Sequence, residues 1–316
     1  MNKKLLALAV GAAISAAPMF ASAGVKVYGH AQVEVGTQDT GATDGTFTSD
    51  NARGRWGVKA SEKLGNGMTA LAKFEFRLDT SDNRRGPSGQ TSTPRESMVG
   101  LKGGFGTIEL GNLKSAYKYH GGVKYDPFVA TMIEARGQGG MTGGQFGHNG
   151  FMDNAIGYKT PKMGAISAWA TFSVDETADE RGATDGDYSF GLKFKQKAFE
   201  VFVAGINDDS ASYDGIKIGG QYKFGNFKIS GQYEMIDDNG NDEDTYFIGG
   251  QAKFGANVLV AQFGSLDDEA NGDTDYFGIG VIHNLSKKTR LTAGFSNSDD
   301  GTTETDTFAV GLRVKF

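Results

Sequence analysis

Arg53, Arg55 and Lys59 recur at even spacing, with Gly57 between them and Trp56 and Val58 on the opposite parity. In a β-strand alternate residues face opposite sides, so this pattern puts positive charge on one face and apolar bulk on the other. The next segment repeats it, with Lys73, Glu75 and Arg77 opposing Phe74, Phe76 and Leu78. Such a ladder makes and breaks no bonds; fixed charge along a passage selects ions by sign. Candidate countercharges lie in the stretch 114–152, where Asp126 stands in Tyr125-Asp126-Pro127-Phe128 and Glu134 follows, with Lys118, Lys124 and Arg136 interspersed. Acidic groups facing a basic wall would set up a transverse field that orients dipolar solutes. For each carboxylate the plainer role of a solvated or hydrogen-bonded turn residue stays open.

Bond-making chemistry has less support. His30, His120, His148 and His283 are scattered, with no nucleophile motif around them. The run Asp237-Asp238-Asn239-Gly240-Asn241-Asp242 resembles a calcium loop, but Asp242 and Ile248 stand where an EF-hand needs its sixth-position Gly and twelfth-position Glu. Gly103-Gly104-Phe105-Gly106 opens a strand rather than a helix, so it reads as a tight turn and not a nucleotide loop. No enzyme activity, metal or cofactor is expected.

The elements that must hold these residues follow from the address and the periodicity. Lys3 and Lys4 precede an apolar run from Leu5 to Ile14, and small residues end in Ala21-Ser22-Ala23. This is the pattern of a cleavable secretory signal, residues 1–23, too short for a spanning helix of about 20 residues. Mean hydropathy is −0.37, and no later stretch is apolar enough for a membrane helix. A β-barrel remains open, because its strands alternate lipid-facing and water-facing residues. With 48 Gly, 22 Phe, 11 Tyr, only 5 Pro and no Cys, an exported chain of this size must be held by a closed hydrogen-bonded sheet rather than by disulfides. Net charge is −6, or −8 once Lys3 and Lys4 leave with the signal, which argues against nucleic acid as a partner.

Segments of about ten alternating residues run through the remainder, 24–316, joined in turn by short turns and longer polar loops. Five are expected by residue 113, including 24–36, 51–63 and 68–79, and eleven more from 153 to 316. The total of 16 is even, as barrel closure requires. Residues 237–244 are expected to form an acidic loop. The last segment shows the alternation well, with Phe308, Val310, Leu312, Val314 and Phe316 on one parity and Thr307, Ala309, Gly311, Arg313 and Lys315 on the other. Tyr28, Trp56, Phe74, Phe224, Phe254 and Phe316 are candidates for interfacial girdles, with subunit contacts as the competing account.

At specific residues the chain resembles the general diffusion porins of Gram-negative bacteria, in particular the neisserial type. The resemblance rests on Val25-Lys26-Val27-Tyr28-Gly29, the run from Gly54 through Trp56 to Glu62, Val99-Gly100-Leu101-Lys102-Gly103-Gly104-Phe105-Gly106-Thr107, Asn154-Ala155-Ile156-Gly157-Tyr158-Lys159-Thr160-Pro161 and the terminal Phe316. It implies an all-β, 16-stranded antiparallel transmembrane barrel in the outer membrane, assembled as a homotrimer and surrounded by lipid. It further implies that the third external loop folds into the lumen against a basic wall, here Arg53, Arg55, Lys59, Lys73, Arg77 and Arg95. Phe316 would be read by the barrel-assembly machinery. The stretch 114–152 is the one unusually long connection and occupies that third external position.

Two departures matter. Asn112 stands where the family often carries arginine after the fifth strand's glycine, and the arginine at the sixth strand is replaced around Met152-Asp153. Strong anion preference is therefore not expected. Arg95 matches a family arginine, yet it shares parity with Val99 and Leu101, which argues against an inward direction. The implied function is passive diffusion of ions and small hydrophilic solutes. A barrel-borne enzyme and a non-conducting structural or adhesive barrel are the alternatives.

Overall fold

A computed structural model describes residues 24–42, 44–49, 54–78, 94–120, 122–138, 151–174, 186–208 and 212–316. The signal segment, Arg53 and His148 lie outside the described residues. Seventeen strand segments form one antiparallel sheet, and its two ends meet. On one side β1 (Gly24–Asp39) pairs with β17 (Glu304–Lys315), from His30 opposite Lys315 to Asp39 opposite Asp306. On its other side, the first half of β1 pairs with β3 (Arg55–Gly65) and the second half with β2 (Asp44–Ser49). Since β2 and β3 share one position in the wall, the seventeen segments make a closed barrel of sixteen strands. Closure pairs every strand edge, which a hydrocarbon environment demands of any backbone that crosses it.

The wall continues through β4 (Met68–Arg77), β5 (Pro94–Gly103), β6 (Gly106–Lys114), β7 (Phe151–Lys159), β8 (Ile166–Ser173) and β9 (Tyr188–Lys195). It is completed by β10 (Phe199–Asp208), β11 (Tyr213–Phe224), β12 (Phe227–Asp238), β13 (Asn241–Phe254), β14 (Asn257–Asp268), β15 (Thr274–Asn284) and β16 (Thr289–Asp299). Side-chain alternation explains why these segments are strands. In β17, Phe308, Val310, Leu312 and Val314 are exposed while Thr307, Ala309 and Arg313 are buried. The same split recurs around the barrel and gives it an apolar face and a polar, charged face.

Three expectations need correction. The acidic loop 237–244 is mostly strand: β12 runs to Asp238, β13 starts at Asn241, and Asn239 (φ 56°) with Gly240 (φ 84°) makes a two-residue turn. Positive φ at both central positions gives the hairpin geometry that Asn-Gly favours. The stretch before Asp50, expected to be loop, contains β2. Tyr28 is not a girdle residue, because its parity on β1 is that of buried Gln32 and Glu34 rather than that of exposed Val25 and Val27. Trp56, Phe74, Phe224, Phe254 and Phe316 do lie on the exposed face. Phe224 stacks on Phe227 at 5.5 Å, and Phe227 meets Phe254 edge-on at 6.5 Å, an aromatic band beside the β11–β12 and β13–β14 turns.

The buried apolar core is not between two sheets. Most of it lies where residues 116–135 pack on the polar face of the far wall, and a smaller cluster of Met98, Leu113, Met152 and Ala155 lies on β5, β6 and β7. Tyr117, Tyr125 and Ala135 cluster with Phe202, Ile206, Ile236, Phe247 and Tyr276, and Phe128 and Ile133 cluster with Val260 and Ile282.

Candidate functional site

The charged face is built from pairs across neighbouring strands. Glu75 on β4 is 2% exposed and lies among three cations: Arg95 at 3.2 Å, Arg55 at 3.5 Å and Lys73 at 3.7 Å. The Tyr28 hydroxyl donates at 2.9 Å to the Glu75 oxygen that faces Lys73, while both arginines meet the other oxygen. Glu96 on β5 binds both Lys73 and, at 2.8 Å, Lys114. Glu109 takes Lys159 at 2.6 Å, and Glu200 takes Lys195 at 2.7 Å and Lys193 at 3.2 Å. Lys59 lies over the Tyr28 ring at 5.4 Å. A cavity of about 750 Å³ opens beside this wall, lined by Lys59, Lys73, Glu96, Glu109, Lys114 and Lys159.

Most of the basic residues singled out in the sequence therefore meet on one wall. Arg55 and Arg77 are cross-strand partners in the β3–β4 register. Arg95 was expected to share the side of Val99 and Leu101, but its guanidinium reaches Glu75 instead. The cause is a register shift between Phe74 and Phe76, opposite Ser97 and Pro94. This bulge places one extra residue in β5, so consecutive Arg95 and Glu96 both contact the charged cluster. Sequence reasoning did not single out Glu96, Glu109, Lys114, Lys159 or Glu200. Their only signal is parity on strands whose register the sequence does not reveal.

The stretch 115–138 carries a short helix, α1 (Ala116–His120), and two 3₁₀ turns. Its backbone and tyrosines are tied to six strands. The Tyr117 N–H donates to Ser189 at 2.7 Å and its hydroxyl to Glu234; the Tyr125 hydroxyl donates to Glu200 at 3.2 Å. The Met132 N–H donates to Glu34 at 2.6 Å, the Tyr276 hydroxyl to the Ile133 carbonyl at 2.7 Å, and Arg313 to the Val129 carbonyl at 3.2 Å. Lys217, fully buried, lies 4.0 Å from the Tyr117 ring and 3.8 Å from Glu234.

Asp126 and Glu134 are both buried within this segment. Asp126 accepts the Phe128 N–H at 2.7 Å and the Ala135 N–H at 3.0 Å; Glu134 accepts the Ala130 N–H at 2.6 Å and pairs with Arg136 at 3.0 Å. Burial, reinforced by the neighbouring Glu134, raises the Asp126 carboxyl to about 7. His120 is buried against β9 and β10, and burial together with Lys193 lowers it to about 4. Phe316 is half exposed, and its backbone pairs with Gly29 across the β17–β1 seam at 3.1 and 3.4 Å.

A closed barrel with one apolar face and one charged face is a membrane pore architecture, and the family comparison agrees. The sequence profile of the Gram-negative porins matches residues 7–303. The chain belongs to the Gram-negative porin family. This porin is 30% identical over 257 residues to outer membrane porin protein 32 of Delftia acidovorans, an alignment covering 73% of this chain and 68% of that one. It is 27% identical over 224 residues to the major outer membrane protein P.IB of Neisseria gonorrhoeae, covering 65% of this chain but only 57% of the gonococcal protein. Among solved structures, an anion-selective porin from Comamonas acidovorans superposes with a TM-score of 0.75 at 21% identity, over 93% of this chain and 100% of that one. A loop L8 deletion mutant of OmpT from Vibrio cholerae gives 0.72 at 18% identity, over 93% and 100%. The protein is an outer-membrane β-barrel channel.

Proposed function

We propose that this porin conducts ions and small hydrophilic solutes passively and with weak ionic preference, and has no enzymatic role. The observation that carries the reading is the charged wall itself. A face dense in Lys, Arg and Glu, closed into a cylinder and bordered by a sizeable cavity, suits a water-filled lumen. Arg55, Lys59, Lys73, Arg77 and Arg95 line that lumen in this reading. Residues 115–138 fold inward as the constriction. Asp126 and Glu134 act there chiefly by shaping the segment, since their oxygens are occupied by backbone donors and by Arg136.

Weak preference follows from pairing. The Comamonas neighbour is described as anion-selective, but here Glu75, Glu96, Glu109 and Glu200 each hold at least one wall cation, so the basic ladder is largely offset. A homotrimer in lipid is the assembly proposed, in line with the OmpT neighbour of Vibrio cholerae, one form of which is described as a trimer. Residues 1–23 serve as the cleavable export signal, and Phe316 presents the last strand to the barrel-assembly machinery.

Planar-bilayer recording tests the reading. Purified protein should insert as large conductance steps that close in threes, and folded protein that gives no steps would refute it. Deleting Phe316 should lower outer-membrane insertion; unchanged surface levels and folding rate would remove that role.

A further inference from the structure

We infer that the two mouths of this porin are oppositely charged, so that its ionic preference depends on which mouth faces the more dilute solution. The inference rests on the proposed reading of the barrel as a water-filled conductor. At the long-loop rim, residues 237–244, 267–275 and 299–306 together hold fourteen Asp and Glu and no Lys or Arg. The donors that bind these carboxylates are neutral: the Gly240 N–H on Asp237, the Tyr233 hydroxyl on Asp244, and Asn297 on both Glu304 and Asp306. Among the described residues, no Lys or Arg pairs with these carboxylates.

The opposite rim has the opposite sign. Each of the seven short turns carries a lysine in it or within three residues of it, from Lys63 at the β3–β4 turn to Lys287 and Lys288 at the β15–β16 turn. Lys197, Lys223 and Lys253 are exposed there. Of the nearby side-chain carboxylates, Glu62 is exposed beside Lys63, while Glu109 is already bound by Lys159 and Glu200 by Lys193 and Lys195.

Distance decides whether the two rims act separately. Strands such as β11 and β14 have 12 residues. At about 3.3 Å per residue and a tilt of roughly 40°, the rims stand about 30 Å apart. The screening length is about 10 Å at 0.1 M salt, about 3 Å at 1 M and about 30 Å at 0.01 M. Near 0.1 M each mouth therefore imposes its own sign on the ions entering it, cations at the acidic rim and anions at the lysine rim. At 1 M both fields collapse. Near 0.01 M each reaches the other and they partly cancel, so the asymmetry peaks at intermediate salt.

Oriented single channels under a KCl gradient test this, with about 0.1 M on one side and a few times more on the other. Dilution lengthens the field of the mouth it faces. The cation-to-anion permeability ratio should be higher when the dilute bath meets the acidic rim, lower when the gradient is reversed, and the difference should vanish near 1 M. A variant carrying D238N, D242N, E269Q and D273N should lower the first ratio and spare the second. A variant carrying K197Q, K223Q and K253Q should raise the second and spare the first. Equal ratios in both directions from a conducting wild-type channel would overturn the inference, as would either variant shifting both directions alike. Loss of all conductance from folded protein would instead refute the channel reading.

Discussion

Replacing Glu75 with Gln perturbs the centre of the wall network while keeping its shape. One negative charge leaves a group that now faces Arg55, Lys73 and Arg95 within 3.7 Å. Breaking a buried ion pair costs about 3–5 kcal/mol when the remaining charge is sealed from water. Here the cations keep 15–25% side-chain exposure, so hydration offsets part of the loss and roughly 2–3 kcal/mol is expected. A barrel closed by sixteen strands should survive that, and thermal unfolding of E75Q should show a lower but still cooperative transition.

The effect on permeation follows from Coulomb's law. If ions pass about 8 Å from Glu75, its unit charge contributes about 0.5 kcal/mol in water, reduced to about 0.2 kcal/mol by screening at physiological salt. Removing it disfavours cations and favours anions by that amount each. The anion-to-cation ratio should rise about twofold at physiological salt, about fourfold at 10 mM and very little at 1 M. Zero-current potentials across KCl gradients at those strengths measure it. If E75Q conducts like the wild type and its reversal potential is unchanged at 10 mM, Glu75 does not face the ion path and the assignment of the lumen is wrong.

Asp126 gives a pH prediction. Its carboxyl is raised from the usual 3.8 to about 7 by burial and by Glu134, so its contribution to the folded segment is full below 3.8 and lost as pH rises through about 7. Current fluctuations should grow across neutral pH in the wild type and stay level in D126N; equal pH profiles would contradict this. Y117F removes a buried hydroxyl bonded to Glu234 and should loosen α1 by about 1–3 kcal/mol, read as faster amide exchange over residues 116–120 with β12 unaffected. At Gly29 a β-carbon would lie 2.3 Å from the Arg55 carbonyl oxygen and 2.5 Å from the Phe316 ring. G29V should thus weaken the contacts of β1 with both β3 and Phe316 by about 1–3 kcal/mol, and an unchanged melting temperature would show that these contacts relax freely.

Alternation along β17 made the barrel legible, because every second side chain there must face lipid. Register was not legible, and the site depends on it. The acidic stretch 237–244 read as loop since strand ends above the hydrocarbon need no apolar residues, although its Asn239-Gly240 pair carried the hairpin signal. Arg55, Lys73 and Arg77 formed a basic ladder in the sequence, with Arg95 set apart by its parity, but Glu75 gathers Arg55 and Arg95 from twenty residues away on either side, and Tyr28 from 47 away. Parity along one strand cannot show such pairing, and the bulge at Arg95 and Glu96 breaks parity itself. The ladder's charge is therefore set by cross-strand neighbours rather than by its own residues. That is why selectivity should respond more to the glutamates that hold the cations than a count of arginines and lysines implies.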